Sequence, residues 1–213
     1  MADPLSTSLF ATDPRLWVPI RSLGPGQRRA ATRHLLGLPQ SDRYLRFGFS
    51  ASDEQIERYI EGLNFERDEV FGIFNRRLRL LALAHLAYPD SNQAPAPAEF
   101  GVSVLPSARG RGYGSQLFGH AMLHARNRNI DTLFIHALSE NSAMLHIASR
   151  FGATLQRDGA ETDAFLKLPP DTLASQVEAL VTDGLGELDY RYKQQSHLLS
   201  RLLDISAVAP PGH

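Results

Sequence analysis

The stretch Arg109-Gly110-Arg111-Gly112-Tyr113-Gly114 constrains this chain more than any other. Glycines alternate through it, and arginines stand at 109 and 111. The apolar run Phe100 to Leu105 precedes it and reads as a strand. Behind it, Leu117, Phe118, Ala121, Met122 and Ala125 fall on one helical face. The order is strand, glycine turn, helix. Glycine lets backbone N–H groups come close to a ligand, and a helix N-terminus adds unpaired donors and the positive end of a dipole. Such an arrangement can cradle a phosphate. It is not a Walker loop, because no lysine follows the glycines, and the dinucleotide fingerprint fails because Ser115 stands where its third glycine is required. On the loop alone, a basic glycine turn that binds nothing is the alternative.

The pattern Arg-x-x-Gly-x-Gly is followed by a second apolar run, Leu133 to Leu138, by Ser139-Glu140-Asn141, and by a short helical segment ending at Arg150-Phe151-Gly152-Ala153. Loop, helix, strand, Glu-Asn, helix and Phe-Gly in this order resemble the GNAT superfamily of N-acetyltransferases. The resemblance spans roughly Arg15 to Leu168 and is most specific from Ala98 to Ala153. Asp42-Arg43-Tyr44-Leu45-Arg46-Phe47 and Ala98-Glu99-Phe100 are similar to the acetyltransferase domains of bacterial protein-lysine acetyltransferases. The resemblance implies an α/β fold, with a mixed, mostly antiparallel sheet flanked by helices.

It also implies a chemistry: direct attack of a primary amine, a small molecule or a protein lysine, on acetyl-CoA. In the family, the strand before the loop splays from its neighbour and pairs with the pantetheine arm. Val102 and Val104 fall in that strand. Arg109, Gly110, Arg111, Gly112, Tyr113, Gly114 and Ser115 would hold the pyrophosphate, the arginines adding charge. Asn141 matches the asparagine that contacts the cofactor arm, although a helix N-cap explains it equally. An ammonium must lose a proton before it can attack, and a backbone N–H of the central strand would steady the oxyanion. Glu99, entering that strand, is the candidate base, with an exposed strand-end carboxylate as the competing explanation. Glu140 is the runner-up. Many members carry a tyrosine seven residues after the asparagine as general acid. Ala148 stands here, which puts tyrosine-assisted protonation of the thiolate in doubt. A non-catalytic acyl-CoA-binding sensor or regulatory module, and a structural partner with a decayed site, therefore stay open.

Composition narrows the remaining classes. A net charge of −1 over 213 residues makes neither nucleic acid nor an anionic membrane an obvious partner. The absence of cysteine excludes disulfides, thiolate zinc sites and an acyl-cysteine intermediate. No signal segment or membrane-length apolar run is seen, so a cytoplasmic location is expected. Three parts are expected: a flexible arm over 1–14, the acetyltransferase domain over 15–170 and a helical extension over 171–213.

Trp17-Val18-Pro19-Ile20 reads as a first strand and Gln27 to Leu36 as a helix. Ser52 and Gln55 form a capping box before Ile56, Tyr59, Ile60 and Leu63. Val70 to Phe74 and Leu80 to Tyr88 read as strands around Asn75-Arg76-Arg77, Pro89 to Pro97 as a loop, and Phe165 to Leu168 as the last strand. In the extension, one apolar stripe holds Leu173, Val177, Leu180 and Val181. After Gly184 and Gly186 a second holds Leu188, Tyr192, Leu199 and Leu203. This predicts two amphipathic helices, packed on the domain or making a subunit contact such as a homodimer.

His120 and His124 have the i, i+4 spacing of metal ligands. No third ligand is evident, so surface histidines and no metal are expected. His85 and His136 read as hydrogen-bonded core histidines. By the family resemblance Arg43, Tyr44, Arg46 and Phe47 are candidates for the acceptor side, with simple packing of Tyr44 and Phe47 as the alternative.

Overall fold

Alternation along Val70 to Phe74 sends Val70 and Phe74 to one face of a sheet and Phe71 and Ile73 to the other, giving a hydrophobic core on each side. The computed structural model describes residues 18–89, 97–170 and 179–195. The order is β1 (Arg21–Leu23), α1 (Arg28–Leu36), α2 (Gln40–Phe47), α3 (Asp53–Glu61), β2 (Glu69–Phe74), β3 (Leu80–Ala87) and β4 (Ala98–Val104). Then come α4 (Tyr113–Asn127), β5 (Thr132–Leu138), α5 (Ser142–Arg150), β6 (Thr154–Asp158) and β7 (Glu161–Lys167). A further helix, α6, covers 179–195.

The seven strands form one sheet in the order β1-β2-β3-β4-β5-β7-β6. Every neighbouring pair is antiparallel except β4 with β5. That parallel pair joins only Ala98 to Leu133 and Glu99 to Phe134 before the strands part. The α/β architecture expected from the sequence is the one observed.

Helix α4 packs across β2, β3 and β4, and α5 across β5, β6 and β7. Phe118 of α4 meets Phe100 edge-on at 5.0 Å. On the opposite face α1 lies on β3 and against α3, while α2 spans β4 and β5. The Ser52 capping box is present, with Ser52 Oγ accepting from Gln55 N and Gln55 Oε1 accepting from Ser52 N. His34 of α1 is buried between layers. Its Nδ1–H donates to Leu80 O at 3.1 Å, which leaves Nε2 to accept from Ser103 Oγ at 2.9 Å. Burial outweighs these hydrogen bonds and lowers its pKa to about 4.

Three expectations need correction. The first strand begins at Arg21, not Trp17: Val18 to Ile20 carry no strand, and the Ile20 carbonyl instead lies against Gly186 of α6. Strand β6 is additional. It is an edge strand whose residues are mostly exposed, so it carries no apolar alternation.

The third correction concerns the extension. Helix α6 runs unbroken through Gly184 and Gly186. It docks by the face carrying Ala179, Asp183, Gly186, Glu187 and Tyr190 rather than by Leu180, Val181, Leu188 and Tyr192, the described residues of the expected stripes. Arg21 is the anchor, pairing with Glu187 at 2.8 Å and lying 3.6 Å from the centre of the Tyr190 ring. A Cβ at 186 would collide with the Ile20 carbonyl, so glycine there lets the helix backbone touch the strand. Leu180, Leu188 and Tyr192 point outward. Residues 1–17 and 90–96, and Leu173, Val177, Leu199 and Leu203, lie outside the described residues.

Candidate active site

The gap between β4 and β5 opens into a cleft of about 650 Å³. Past Glu99, β4 has no strand partner on its β5 side among the described residues. A strand edge of this kind can pair with an extended ligand. Val102 and Val104 line the cleft there.

The glycine loop closes one end. Gly110 and Gly112 adopt φ of +74° and +73°, a left-handed conformation that costs a β-carbon dearly. Gly112 is the N-cap of α4. The N–H groups of the first turn therefore have no partner within the helix and are free for an anion. A Cβ at 110 would meet nothing within 4 Å, so the cradle is open. Gly110, Gly112, Tyr113, Gly114 and Ser115 all line the cleft. Arg109 also lines it, its guanidinium paired with the carboxylate of Asp42 on α2. Arg111 is exposed and outside the lining.

Asn141 lines the cleft as well, and its amide already has work. Its Oδ1 caps α5 by accepting from Met144 N at 3.1 Å, and its Nδ2 donates to Leu45 O at 3.2 Å. It thus ties α5 to α2 across the opening. Ala148 is fully buried in the core. The cleft wall from α5 is made by Ala143, Met144, His146 and Ile147. Counting seven residues from Asn141 therefore reaches an inward-facing position. Glu140 is exposed and not part of the lining.

Glu99 is exposed and lines the cleft. Two residues on along the same strand face, Gly101 lies against the Arg46 guanidinium. Behind these stands a hydrogen-bonded row that sequence reasoning missed. Arg46 Nη2 donates to the Tyr59 hydroxyl at 3.1 Å. That hydroxyl lies 2.8 Å from His85 Nδ1, and His85 Nε2 lies 3.2 Å from Asp68 Oδ2. Burial, reinforced by the Arg46 charge, lowers the His85 pKa against the pull of Asp68. The imidazole is therefore neutral, with Nε2–H donating to Asp68 and Nδ1 accepting from Tyr59. Burial raises the Tyr59 phenol, with Arg46 opposing it. Burial pushes Asp68 up, but Arg67, His85 and the Tyr88 N–H outweigh it and hold the carboxyl below its usual range.

Tyr59 and His85 are separated by 26 residues, and the sequence showed only their helical and strand periodicities. Arg46, Phe47 and Tyr59 line the cleft. Arg43 is buried, donating to Leu36, Leu38 and Ala51 carbonyls and pairing with Asp53. It holds α2 in place instead of facing an acceptor, and Tyr44 stands outside the lining.

Among the other histidines, His85 is hydrogen-bonded as expected. His136 is exposed, lines the cleft and contacts Asp163 at 2.8 Å, so it is not a core residue. His120 and His124 are not surface residues either: their side chains are 2% and 11% exposed. A carboxylate does complete the group, because α6 brings Asp183 to them from a distant part of the chain. Among the described residues, no helix is long and apolar enough to cross a membrane.

A family model described as an acetyltransferase (GNAT) domain matches residues 21–154. No curated protein matches the sequence. Among solved structures, the GNAT domain of S. lividans PAT is similar with a TM-score of 0.60 at 19% identity, covering 70% of this chain and 89% of that one. Spermidine N-acetyltransferase from Vibrio cholerae, in complex with CoA and spermine, gives 0.55 at 18% identity, covering 70% and 94%. A ribosomal L7/L12 alpha-N-protein acetyltransferase in complex with coenzyme A gives 0.54 at 17%, covering 71% and 94%. At these identities the likeness is one of fold.

Proposed function

The chain belongs to the GNAT acetyltransferase family, and on that premise we propose that it transfers an acetyl group from acetyl-CoA to a primary amine. One observation carries the reading: the unpaired edge of β4 and the open glycine cradle at the N-terminus of α4 line the same cleft. Val102 and Val104 would hold the pantetheine arm by their backbone. The loop from Arg109 to Ser115 would hold the pyrophosphate. When bound, acetyl-CoA supplies a thioester-activated acyl group.

The protein's own part is to bind, orient and manage protons. Glu99 is a carboxylate at the cleft with its strand fixed on both sides by Ala87 and Phe134. It accepts the proton that an ammonium must lose, directly or through water. Tyr59 and Arg46 stand on the same side of the sheet and face the amine. Protein lysine is the first acceptor class, in keeping with the protein acetyltransferase among the similar structures, and a small polyamine-like amine is the second.

The test is release of free CoA thiol from acetyl-CoA with a panel of lysine peptides and small amines, alongside calorimetric CoA binding. Thiol release that depends on an amine supports the transferase. A second reading, a non-catalytic acyl-CoA sensor, is favoured by the buried Ala148, which leaves the family's usual acid without a counterpart on α5. CoA binding with no turnover across the panel would select the sensor.

A further inference from the structure

Away from the cleft, on the side of α4 that faces β2, three buried polar atoms converge. His120 Nε2 and His124 Nε2 each lie 3.4 Å from Asp183 Oδ1. They are ion-pair contacts whose angles do not make hydrogen bonds, and all three atoms are buried with no hydrogen-bond partner among the described residues. One atom from each residue falls within 4.8 Å of the other two. None of these residues lines the cleft.

We propose that His120, His124 and Asp183 form a divalent metal site, suited to zinc, that clasps α6 to the acetyltransferase domain. The donor set fits. Two imidazole nitrogens and one carboxylate oxygen are ligands that zinc accepts, and three protein ligands plus a solvent molecule are an established tetrahedral arrangement. Zinc bonds of about 2.0–2.1 Å set tetrahedral ligand atoms about 3.3 Å apart, which is the spacing of each nitrogen from the aspartate oxygen. The two histidines come from successive turns of one helix and so present their rings side by side, 4.5 Å between centroids.

The surrounding contacts prepare His124 as a ligand. Its Nδ1 lies 3.1 Å from Glu69 Oε2. Glu69 also accepts from the Tyr88 hydroxyl at 2.8 Å and pairs with Arg128 at 3.2 Å, so its carboxylate is held in place. An Nδ1–H donated to that carboxylate orients the ring so that Nε2 faces the cluster and gives up its proton as a metal binds, the arrangement by which carboxylates orient metal-bound imidazoles. Phe71 packs edge-on against His120 and tilted against His124, fixing both rings. Asp183 is 37% exposed, which gives the ion an entry path.

The site does not depend on the proposed reaction, so its test reads metal and not turnover. The full, untagged chain is stripped with a chelator and titrated with zinc by calorimetry, and cobalt is added separately for its visible spectrum. Uptake of one zinc per chain, tetrahedral-type cobalt bands, and slowed amide exchange over 179–195 on adding metal are expected. Asp183→Asn and His120→Ala should each abolish saturable binding, and Glu69→Gln should weaken it about tenfold to a hundredfold. Asp183→Asn changes a partly exposed helix residue and keeps the test decisive if His120→Ala fails to fold. A folded chain that takes up no zinc, or takes it up equally well with Asp183→Asn, would leave the cluster as an ion pair and overturn the proposal.

Discussion

Tyr59 places its hydroxyl 2.8 Å from His85 Nδ1, and through that imidazole the cleft wall is connected to Asp68, which is almost wholly buried. A phenol held this way has a fixed orientation and a defined proton acceptor. Tyr59→Phe should lower kcat about tenfold or more with little change in acetyl-CoA affinity. Steady-state kinetics across pH is the measurement. An unchanged profile would mean that the row only braces α3 against β3.

Glu99→Gln keeps the shape of the side chain and removes its basicity. A fall in kcat of about a hundredfold is expected, with CoA binding preserved. Normal turnover between pH 6 and 9 would move the base elsewhere in the cleft.

Gly112 combines a left-handed φ of +73° with the N-cap position of α4. Valine there carries a β-branch into a strained conformation, at a cost of about 1–3 kcal/mol. Gly112→Val should weaken CoA binding at least tenfold, about 1.4 kcal/mol. Calorimetry on a folded variant decides it, and an unchanged Kd would remove the loop from the binding site.

His34 gives a pH signature. Its folded pKa is depressed by burial to about 4, below the unfolded value of about 6.5. Between these values the unfolded chain binds the extra proton, so this residue's contribution is present above about pH 6.5 and lost as pH falls toward 4. The loss should approach about 3 kcal/mol. Urea unfolding at several pH values should show a shallower acid slope in His34→Gln than in the parent chain. Equal slopes would assign the acid sensitivity to other groups.

Gly186→Ala tests how α6 is seated. Its Cβ has no room beside the Ile20 carbonyl. The helix should lift from β1, at about 1–3 kcal/mol, and protease cleavage within 179–195 should become faster. Unchanged resistance would mean that Arg21, Glu187 and Tyr190 hold the helix without that close approach.

The half of the cleft proposed to hold the cofactor was legible because it is written locally. A strand, glycines at alternate positions and a helix start are consecutive, and the loop from Gly110 to Gly114 carries its meaning in backbone conformation. The half proposed to face the acceptor was not. Tyr59, His85 and Asp68 come from a helix, a strand and the turn before β2, and each alone follows ordinary core periodicity. Periodicity also misplaced α6. Its apolar residues were legible, yet the docking face depends on a glycine and charged groups meeting Arg21, Ile20 and two histidines far away in the chain. The same separation hid Asp183 from His120 and His124.

Among the described residues, two pairs, Ala98 with Leu133 and Glu99 with Phe134, are the whole ladder between strands β1 to β4 and strands β5 to β7. Mechanically the sheet is two plates meeting at a short seam. Beyond the seam, load passes through side chains, from Phe100 to Phe118 and on to Phe151 behind it. A force drawing the plates apart would break two ladder steps and then peel an aromatic column. The cleft opening is therefore also the line along which the sheet's own pairing is thinnest, and whatever lies across it serves as a rivet.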